Sequence, residues 1–554
     1  MNFNSIDSTT FIKMIQMGAA NLSNHRDVIN KLNVFPVPDG DTGTNMNLSM
    51  TSGVQEIKAA NSEELSTILS AFIKGLLMGA RGNSGVILSQ LFRGFSSSLE
   101  GNRTINSETF AAALDAGVKV AYQSVTNPVE GTILTVAKDA AKRAIEVAKN
   151  ESNLITLLES IVNEANQSLA RTPELLPILK EVGVVDSGGK GLVVIYEGFL
   201  AALKGELLPE INNNNIDLDT QAQIEHERAV QSFINADTIE YGYCTEFFIE
   251  LHSKEKATYT FNEKDFRLEL TEYGDSLLIA TDNNVIKVHI HTEYPGKVLN
   301  AAQVYGQLVN IDIENMRKQY ESITNDEQAV RMNEKQKEYG IIAVAQGSGL
   351  KEMFKSLGTT LVVEGGQTMN PSTEDILQAI DQVNATHTFI LPNNKNILLA
   401  ASQAKQLSEK DITIIPTKTI PQGISALFSF EETSSKEINE ENMHEAMNEV
   451  KTGLVTYATR DTVLNGIDIK KDSYMGLNDE TIVVSNSDKL ETVQLLLQQL
   501  VDEDAEIVTV FYGEDIAEEE LAPLKQYTKL NMEDVEFEWH LGNQPIYSFI
   551  LMIE

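Results

Sequence analysis

Apolar residues recur at three- and four-residue spacing through the first two hundred positions, as in AFIKGLLMGA, VILSQLFRGF, ILTVAKDAAKRAIEVA and LVVIYEGFLAAL. One face of a helix collects residues at that spacing, so residues 1–208 read as an all-α bundle. The polar, Asn-rich run INNNNIDLDTQAQIEHE interrupts the pattern and marks a linker at 209–234. Strand-like segments follow, YGYCTEFFIEL, SLLIAT and VIKVHIHTE, with a helix beginning near Pro295, which predicts a small α+β domain over 235–325. KQYESITNDEQAVRMNEKQKEYG is charged and nearly devoid of large apolar side chains, so a second linker or a solvated helix is expected at 326–338. From 339 the rhythm becomes strand, helix, strand: IIAVA, KEMFKSLG, TTLVV, PSTEDILQAI, THTFILP, NILLAASQAKQL, ITIIPT. That alternation predicts a parallel sheet covered by helices. Beyond about 435, a helix and the strands GLVTYAT, TIVVS, EIVTVFYG and YSFILMIE read as a second lobe of the same α/β domain, ending at 554. The acidic stretches at 431–449 and 514–520 read as solvated helix faces.

A chain of 554 residues is long for one core, which agrees with several domains. Hydrophobic residues make up 42% and aromatics only 6%, which favours helix-rich packing of Ala, Leu, Ile and Val over an aromatic β sandwich. The formal charge of −37 argues against nucleic acid or an anionic membrane surface as a direct partner, because both would repel the chain, and favours a locally basic protein partner. With Cys244 as the one cysteine, no internal disulfide can form, as expected in a reducing cytoplasm. The N-terminal stretch lacks the basic and apolar regions of a signal peptide, and no uninterrupted apolar run approaches a membrane span.

Four stretches place glycines and short oxygen-bearing side chains where an apolar helical pattern begins: PVPDGDTGTNMNL, GARGNSGVIL, PVEGTILTV and VVDSGGKGLVV. Each predicts a helix start whose exposed N–H groups and dipole favour an anion. Asp39 and Asp41, spaced i,i+2 in a Gly turn, are hard oxygen ligands suited to Mg²⁺. Carboxylates for metal and amides for phosphate together point to a metal–nucleotide site. No G-x-x-x-x-G-K-[ST] string occurs and no dinucleotide fingerprint follows an N-terminal strand, so another scaffold must carry it. Arg81 stands beside the second stretch, either to stabilise a transferring phosphoryl group or in a surface ion pair. In VIKVHIHTE, His289 and His291 alternate with Ile290 and project from one strand face. With Cys244 they could hold Zn²⁺ with a fourth position open; the plainer readings are a small buried thiol and a solvated strand edge.

Together the four glycine stretches resemble the nucleotide-binding helical barrel of dihydroxyacetone kinases, the DhaL type, over about residues 1–205. The resemblance implies a closed bundle of antiparallel helices holding ATP and two Mg²⁺ ions at one end. It assigns Asp39 and Asp41 to metal, and it sets the neutral Asn33 where other members have a further Asp. Thr44 and Asn45 then close the aspartate loop, Gly82, Asn83 and Ser84 contact phosphate, and Thr132 follows the glycine of PVEG. Asp186, Gly188 and Gly189 match the segment near adenine and ribose.

YGYCTE and KVHIHTEYPGK resemble the middle domain of the fatty acid kinase ATP-binding subunit, where the matching Cys and two His form a metal site that either assists chemistry or ties strands together. GGQTMNPSTEDI, LPNNKNI and IPTKTIPQGISALF resemble that subunit's C-terminal region, of a fold related to DegV-type lipid-binding proteins. Read locally, Asn370-Pro371-Ser372 is a helix cap and Asn393-Asn394 a turn after a strand, with no catalytic role. What the resemblance implies is ATP-dependent phosphorylation of a fatty acid carboxylate, presented by a separate fatty-acid-binding DegV-like carrier, to give an acyl phosphate for phospholipid synthesis. Acyl-chain preference would reside in the carrier, and large helical faces would suit a homodimer. The rival expectations are a kinase for a small ketone such as dihydroxyacetone, and a noncatalytic nucleotide-sensing scaffold.

Overall fold

The first helix begins at Asp7, whose carboxylate accepts a hydrogen bond from the Thr10 amide, so that α1 runs Ser8–Leu32. The computed structural model describes residues 3–33, 40–125, 127–206, 241–251, 261–282, 285–315, 317, 336–367, 369–464 and 466–554. Within them follow α2 (Thr42–Ala60), α3 (Leu65–Met78), α4 (Gly82–Ser98), α5 (Ser107–Ser124), α6 (Ile133–Ala148), α7 (Leu154–Leu175), α8 (Pro177–Val182) and α9 (Ser187–Lys204). Their packing closes a ring: α1 lies on α2, α2 on α4, α4 on α5, α5 on α6, α6 on α7, α7 on α9, and α9 back on α1. Sequence pattern explains the faces. In α6 the buried positions Ile133, Val136, Ala137, Ala140, Ala141, Ala144 and Ala148 form one stripe, and its alanines let neighbouring helices approach closely. The ring is filled by linked aromatic side chains, with Phe72 and Phe92 edge-on at 5.2 Å and Phe95 and Phe110 at 5.3 Å.

A second compact unit comprises residues 212–335. Its described part is an antiparallel sheet of order β2-β3-β1-β4, built from β1 (Tyr243–Leu251), β2 (Gly274–Asp282), β3 (Val285–Thr292) and β4 (Gly306–Asn315). Two helices, α10 (Glu263–Thr271) and α11 (Pro295–Gln303), complete it, with Phe247, Phe266, Leu270, Ile286 and Val288 in its core.

The C-terminal segment builds the expected parallel sheet, of order β6-β5-β7-β8, from β5 (Lys337–Ala345), β6 (Leu361–Glu364), β7 (Ala385–Leu391) and β8 (Asp411–Ile414). Between and after these strands run α12 (Ser348–Ser356), α13 (Thr373–Gln382), α14 (Leu398–Leu407), α15 (Ile420–Phe428) and α16 (Lys436–Glu449). A second sheet then forms in the order β13-β12-β9-β16-β14-β15, where β9 is Lys451–Tyr457, β12 Tyr474–Asn478, β13 Thr481–Asn486, β14 Ile507–Tyr512, β15 Glu536–Leu541 and β16 Phe549–Ile553, while β10 (Thr462–Leu464) and β11 (Ile467–Ile469) pair with each other separately. Only β14 and β15 run parallel there. Neither β12 nor β15 is among the strands expected from the sequence: β12 is only five residues long, while β15 alternates Phe537, Trp539 and Leu541 with Glu536, Glu538 and His540, a strand pattern that is legible locally. Of the two acidic stretches, the first is the helix α16, with only Asn439, Met443 and Met447 buried. The second is instead a turn followed by a 3₁₀ helix at Glu518–Leu521, because Asp515 is engaged by Lys489 and the Ser548 hydroxyl and Leu521 turns into the core.

Residues 1–211 and 336–554 form one compact unit. Ala80 and Val86 of the bundle join a core with Ile342, Val344, Ile376 and Ile390 of the parallel sheet and its helices. Gln403 on α14 crosses the same seam, donating to the Leu77 carbonyl at 2.7 Å and accepting from the Gln90 amide at 3.2 Å. The expected linker at 209–234, and 326–335 of the second, lie outside the described residues; β5 already begins at Lys337. Among the described residues no helix is long and apolar enough to cross a membrane.

Candidate nucleotide and metal site

All four glycine stretches open helices as the pattern predicts, at Thr42, Gly82, Ile133 and Ser187. Their starts also meet. The Ser187 hydroxyl donates to the Thr42 hydroxyl at 3.2 Å, joining α9 to α2. A Cβ at Gly82 would lie 2.5 Å from Asn45 Nδ2, so α4 begins against the first turn of α2. A Cβ at Gly188 would lie 3.2 Å from the Ile133 Cβ, joining α9 to α6. Gly82 has φ +56°, a left-handed conformation that only glycine adopts without strain.

Asp41 precedes α2 and is 6% exposed, yet its carboxylate makes no capping bond to that helix. It accepts instead from the side-chain amide of Asn370, in the C-terminal segment. Thr44 is held by Asn30 of α1 through two bonds: Asn30 Nδ2 donates to the Thr44 hydroxyl at 2.9 Å, and the Thr44 amide donates to Asn30 Oδ1 at 3.1 Å. Asn33 ends α1, its amide bonded to the Asn30 carbonyl. A Cβ at Gly40 would stand 3.6 Å from the Asn33 carbonyl, which sets the end of α1 beside the aspartate turn. Asp39 lies outside the described residues.

On the second corner Asn83 donates to Asn396 Oδ1 at 3.3 Å, and Ser84 sits in the first turn of α4. Arg81 pairs with Ser372 as an isolated antiparallel bridge; its guanidinium donates to the Asn370 carbonyl at 3.2 Å and lies 3.6 Å from the Asp375 carboxylate. On the third corner Thr132 donates its hydroxyl to the Val129 carbonyl, while Lys138 and Thr135 hold the carboxyl of Glu130 below its ordinary range.

On the fourth corner Asp186 caps α9, accepting from the Gly189 amide at 2.6 Å. Burial pushes its carboxyl up from 3.8 to about 6, against the opposing pull of the Gly189 and Ile133 amides. The folded chain therefore keeps this proton at pH values where the unfolded chain has lost it. Stability falls as pH rises from about 4 to about 6 and stays lower above that window. Asp186→Asn keeps an acceptor for Gly189 and cannot ionise. It should flatten that slope and raise stability at pH 8 by on the order of 1–3 kcal/mol. Urea unfolding of both proteins at pH 4, 6 and 8 reads this directly; an unchanged slope in the variant removes the assignment.

In the second unit Cys244 and His291 are paired directly across β1 and β3, and His289 follows two residues along, opposite Glu246. Ile286, Val288 and Ile290 take the core face, and His291 stands on the other face of β3 with Cys244 opposite it. Cys244 and His291 are both buried. Among the described residues no group of three or more His, Cys, Asp or Glu side chains is placed to hold a metal, and the side chain of His289 lies outside them.

Residues 36–201 match the DAK2 domain, 240–323 the middle domain of the FakA-like type, named for the A component of fatty acid kinase, and 340–554 its C-terminal domain. Protein YloV of Bacillus subtilis (strain 168) is 51% identical over 557 residues, covering 100% of each chain. The chain belongs to the FakA-like family of fatty acid kinase components. Two solved structures are similar to parts of it. The dihydroxyacetone kinase from C. freundii in complex with AMP-PNP and Mg²⁺ is 20% identical, covering 34% of this chain and 33% of that one at a TM-score of 0.28. A DegV family protein from Corynebacterium glutamicum is 11% identical, covering 39% of this chain and 97% of that one at a TM-score of 0.31.

The family's domains make this a kinase-related chain, and they lie in the order helical, middle, C-terminal. Sequence reasoning missed two residues at the convergence, Asn30 and Asn370. Asn30 lies three residues before Asn33 at the end of α1, a spacing that turns both toward one side of the helix. Asn370 had a complete local reading, because Ser372 and Asp375 form a reciprocal capping box that starts α13 without it.

Proposed function

We propose that this chain is the ATP-binding catalytic subunit of a two-component fatty acid kinase, working in the cytoplasm. The observation that carries the reading is that the starts of α4 and α9 both meet α2, which Asp41 precedes, and the start of α6 meets that of α9, in a chain of this family. The residues fit a divalent cation with a polyphosphate. Asp41 is a buried hard-oxygen donor, and Asn83 and Asn370 each carry a buried amide oxygen without a hydrogen-bond partner among the described residues. Asp41 would hold Mg²⁺ together with Asp39, which the sequence places in the same turn. Bound Mg²⁺ neutralises charge on the β- and γ-phosphates.

Amides at the four helix starts would cradle the phosphates, with Thr44, Asn45, Gly82, Asn83 and Ser84 nearest the triphosphate and Thr132, Asp186, Gly188 and Gly189 toward the nucleoside. Arg81 would move from Asp375 to the transferring group. A carboxylate acceptor suits this donor set. At neutral pH it has no proton to lose, so the site needs charge neutralisation and alignment but no general base. A carboxylate oxygen attacks the γ-phosphorus, the bond from that phosphorus to the β–γ bridging oxygen breaks, and ADP leaves with the electron pair. Membership in a family of kinase components, rather than of self-sufficient kinases, supports a second component, read here as a DegV-like carrier that shields the acyl chain. With −37 on this chain, the docking face of that carrier should be basic.

The test is acyl phosphate formation from the purified chain, ATP, Mg²⁺ and a fatty-acid-loaded carrier, trapped as the hydroxamate. Transfer to dihydroxyacetone instead would overturn the acceptor, and nucleotide binding without transfer to either would favour the sensing scaffold. Zinc at Cys244, His289 and His291 belongs to the same proposal, the thiolate and imidazoles being borderline-soft donors that suit this ion. Cys244→Ser should remove bound zinc measured by mass spectrometry on the purified protein. Retention of the full metal content would end that part of the reading.

A further inference from the structure

The C-terminal α/β domain meets the candidate nucleotide site with Asn396 on Asn83, Asp375 on Arg81 and Asn370 on Asp41. Asn370 is 1% exposed, and its amide nitrogen donates to Asp41 Oδ2 across 329 residues of sequence. A Cβ at Gly82 would stand 3.5 Å from that nitrogen, so Asn370 meets the aspartate turn and the GNSG corner together. Its backbone is fixed there as well. The Asn370 carbonyl accepts from Arg81, Ser372 bridges Arg81, and the Thr373 amide donates to the Ala80 carbonyl at 3.0 Å.

None of this is required by the helix that follows. The capping box of α13 is complete between Ser372 and Asp375, leaving the Asn370 side chain outside it. Burying a primary amide is costly unless its groups are paired, yet Asn370 Oδ1 is buried without a hydrogen-bond partner among the described residues. An amide oxygen is a hard, neutral acceptor. Beside a carboxylate read as a metal ligand, it suits a cation or a water of the cation's shell and would repel an ionised phosphate oxygen.

We propose that Asn370 is a positioning residue of the metal–nucleotide site: its amide N–H orients Asp41, and its oxygen faces the cation or a water bound to it. The proposal rests on the reading of this end of the bundle as a Mg²⁺–nucleotide site. It makes that site composite. The helical domain supplies the Asp41 carboxylate and the phosphate amides, and the C-terminal domain supplies the group that sets the orientation of Asp41. The seam that carries Asn370 therefore ties cation binding to the seating of the C-terminal domain.

The experiment is calorimetric titration of AMP-PNP into the full-length chain across a range of Mg²⁺ concentrations. Wild-type protein with no Mg²⁺-dependent uptake would sink the underlying site reading itself. Given such uptake, Asn370→Ala should raise the Mg²⁺ concentration for half-maximal binding about tenfold, with less change at saturating Mg²⁺. Gln403→Ala removes bonds across the same seam without touching Asp41, and should leave that midpoint within about twofold. Asn370→Asp has nearly the same size but turns a donor into a like charge. It should lower the melting temperature without metal and show a larger rise on adding Mg²⁺ than wild type. A wild-type Mg²⁺ midpoint in Asn370→Ala, an equal shift in Gln403→Ala, or no enlarged Mg²⁺ response in Asn370→Asp would each overturn the proposal.

Discussion

Asp41→Asn should abolish Mg²⁺-dependent nucleotide uptake and, with it, phosphoryl transfer. The change removes one negative charge from a buried hard-oxygen ligand and leaves its volume unaltered. Losing a partner behind a metal ligand typically weakens metal binding by about 10–100-fold, so losing the ligand charge itself should cost on the order of a hundredfold or more in activity. Unfolding would not explain the loss. The Asn side chain still offers an oxygen to the Asn370 amide, and without the cation a buried carboxylate is a burden, so the variant should melt at or above the wild-type temperature. Acyl phosphate formation, AMP-PNP titration and thermal unfolding measured together give the answer. A variant that turns over normally at ordinary Mg²⁺ would contradict the metal assignment.

Gly43→Ala should damage both fold and site through a single methyl group. A Cβ at Gly43 would lie 2.3 Å from the Arg26 carbonyl oxygen and 2.8 Å from Asn30 Oδ1. The first of these is backbone in the middle of α1, which cannot rotate away, so α1 and α2 must separate. Overpacking of this kind typically costs about 1–3 kcal/mol. The same displacement pulls Thr44 from Asn30, opening the turn that presents Asp41. Denaturant unfolding should show the lost stability, and nucleotide affinity should fall in parallel even under conditions where the variant is fully folded. A folded variant with wild-type affinity would mean that the α1–α2 contact does not shape the site.

The four helix starts could be read in advance because each is a local event. A glycine or capping residue stands just before an apolar stripe, and nothing distant decides whether the helix begins there. The strands β1 and β3 were legible for a related reason, since apolar alternation marks a strand locally, although the register that sets Cys244 opposite His291 was not. Local completeness also misled. The stretch Asn370-Pro371-Ser372 does lead into a capped helix, and that locally satisfied pattern hides the side chain that leaves the cap to hold Asp41. The stretch at 514–520 misled in the opposite way: its acidity suggested a helix face, while a tertiary anchor on Asp515 imposed a turn and a 3₁₀ segment.

By itself, the sequence determined the helical first segment, the strand and helix alternation of the last, the glycine corners with their carboxylates, and the membership of the whole chain in its family. These follow from periodicity, capping chemistry and turn residues, which act over a few positions. Tertiary structure alone decided that the corners meet, that Asn30 fixes Thr44, that Arg81 is engaged by Asp375, and that a residue of the C-terminal domain touches Asp41. Those contacts are set by how closely whole helices and sheets pack. Closure of the helical ring and the shared core of Ala80 and Val86 with the parallel sheet bring distant residues within hydrogen-bond reach, and no local pattern records such distances.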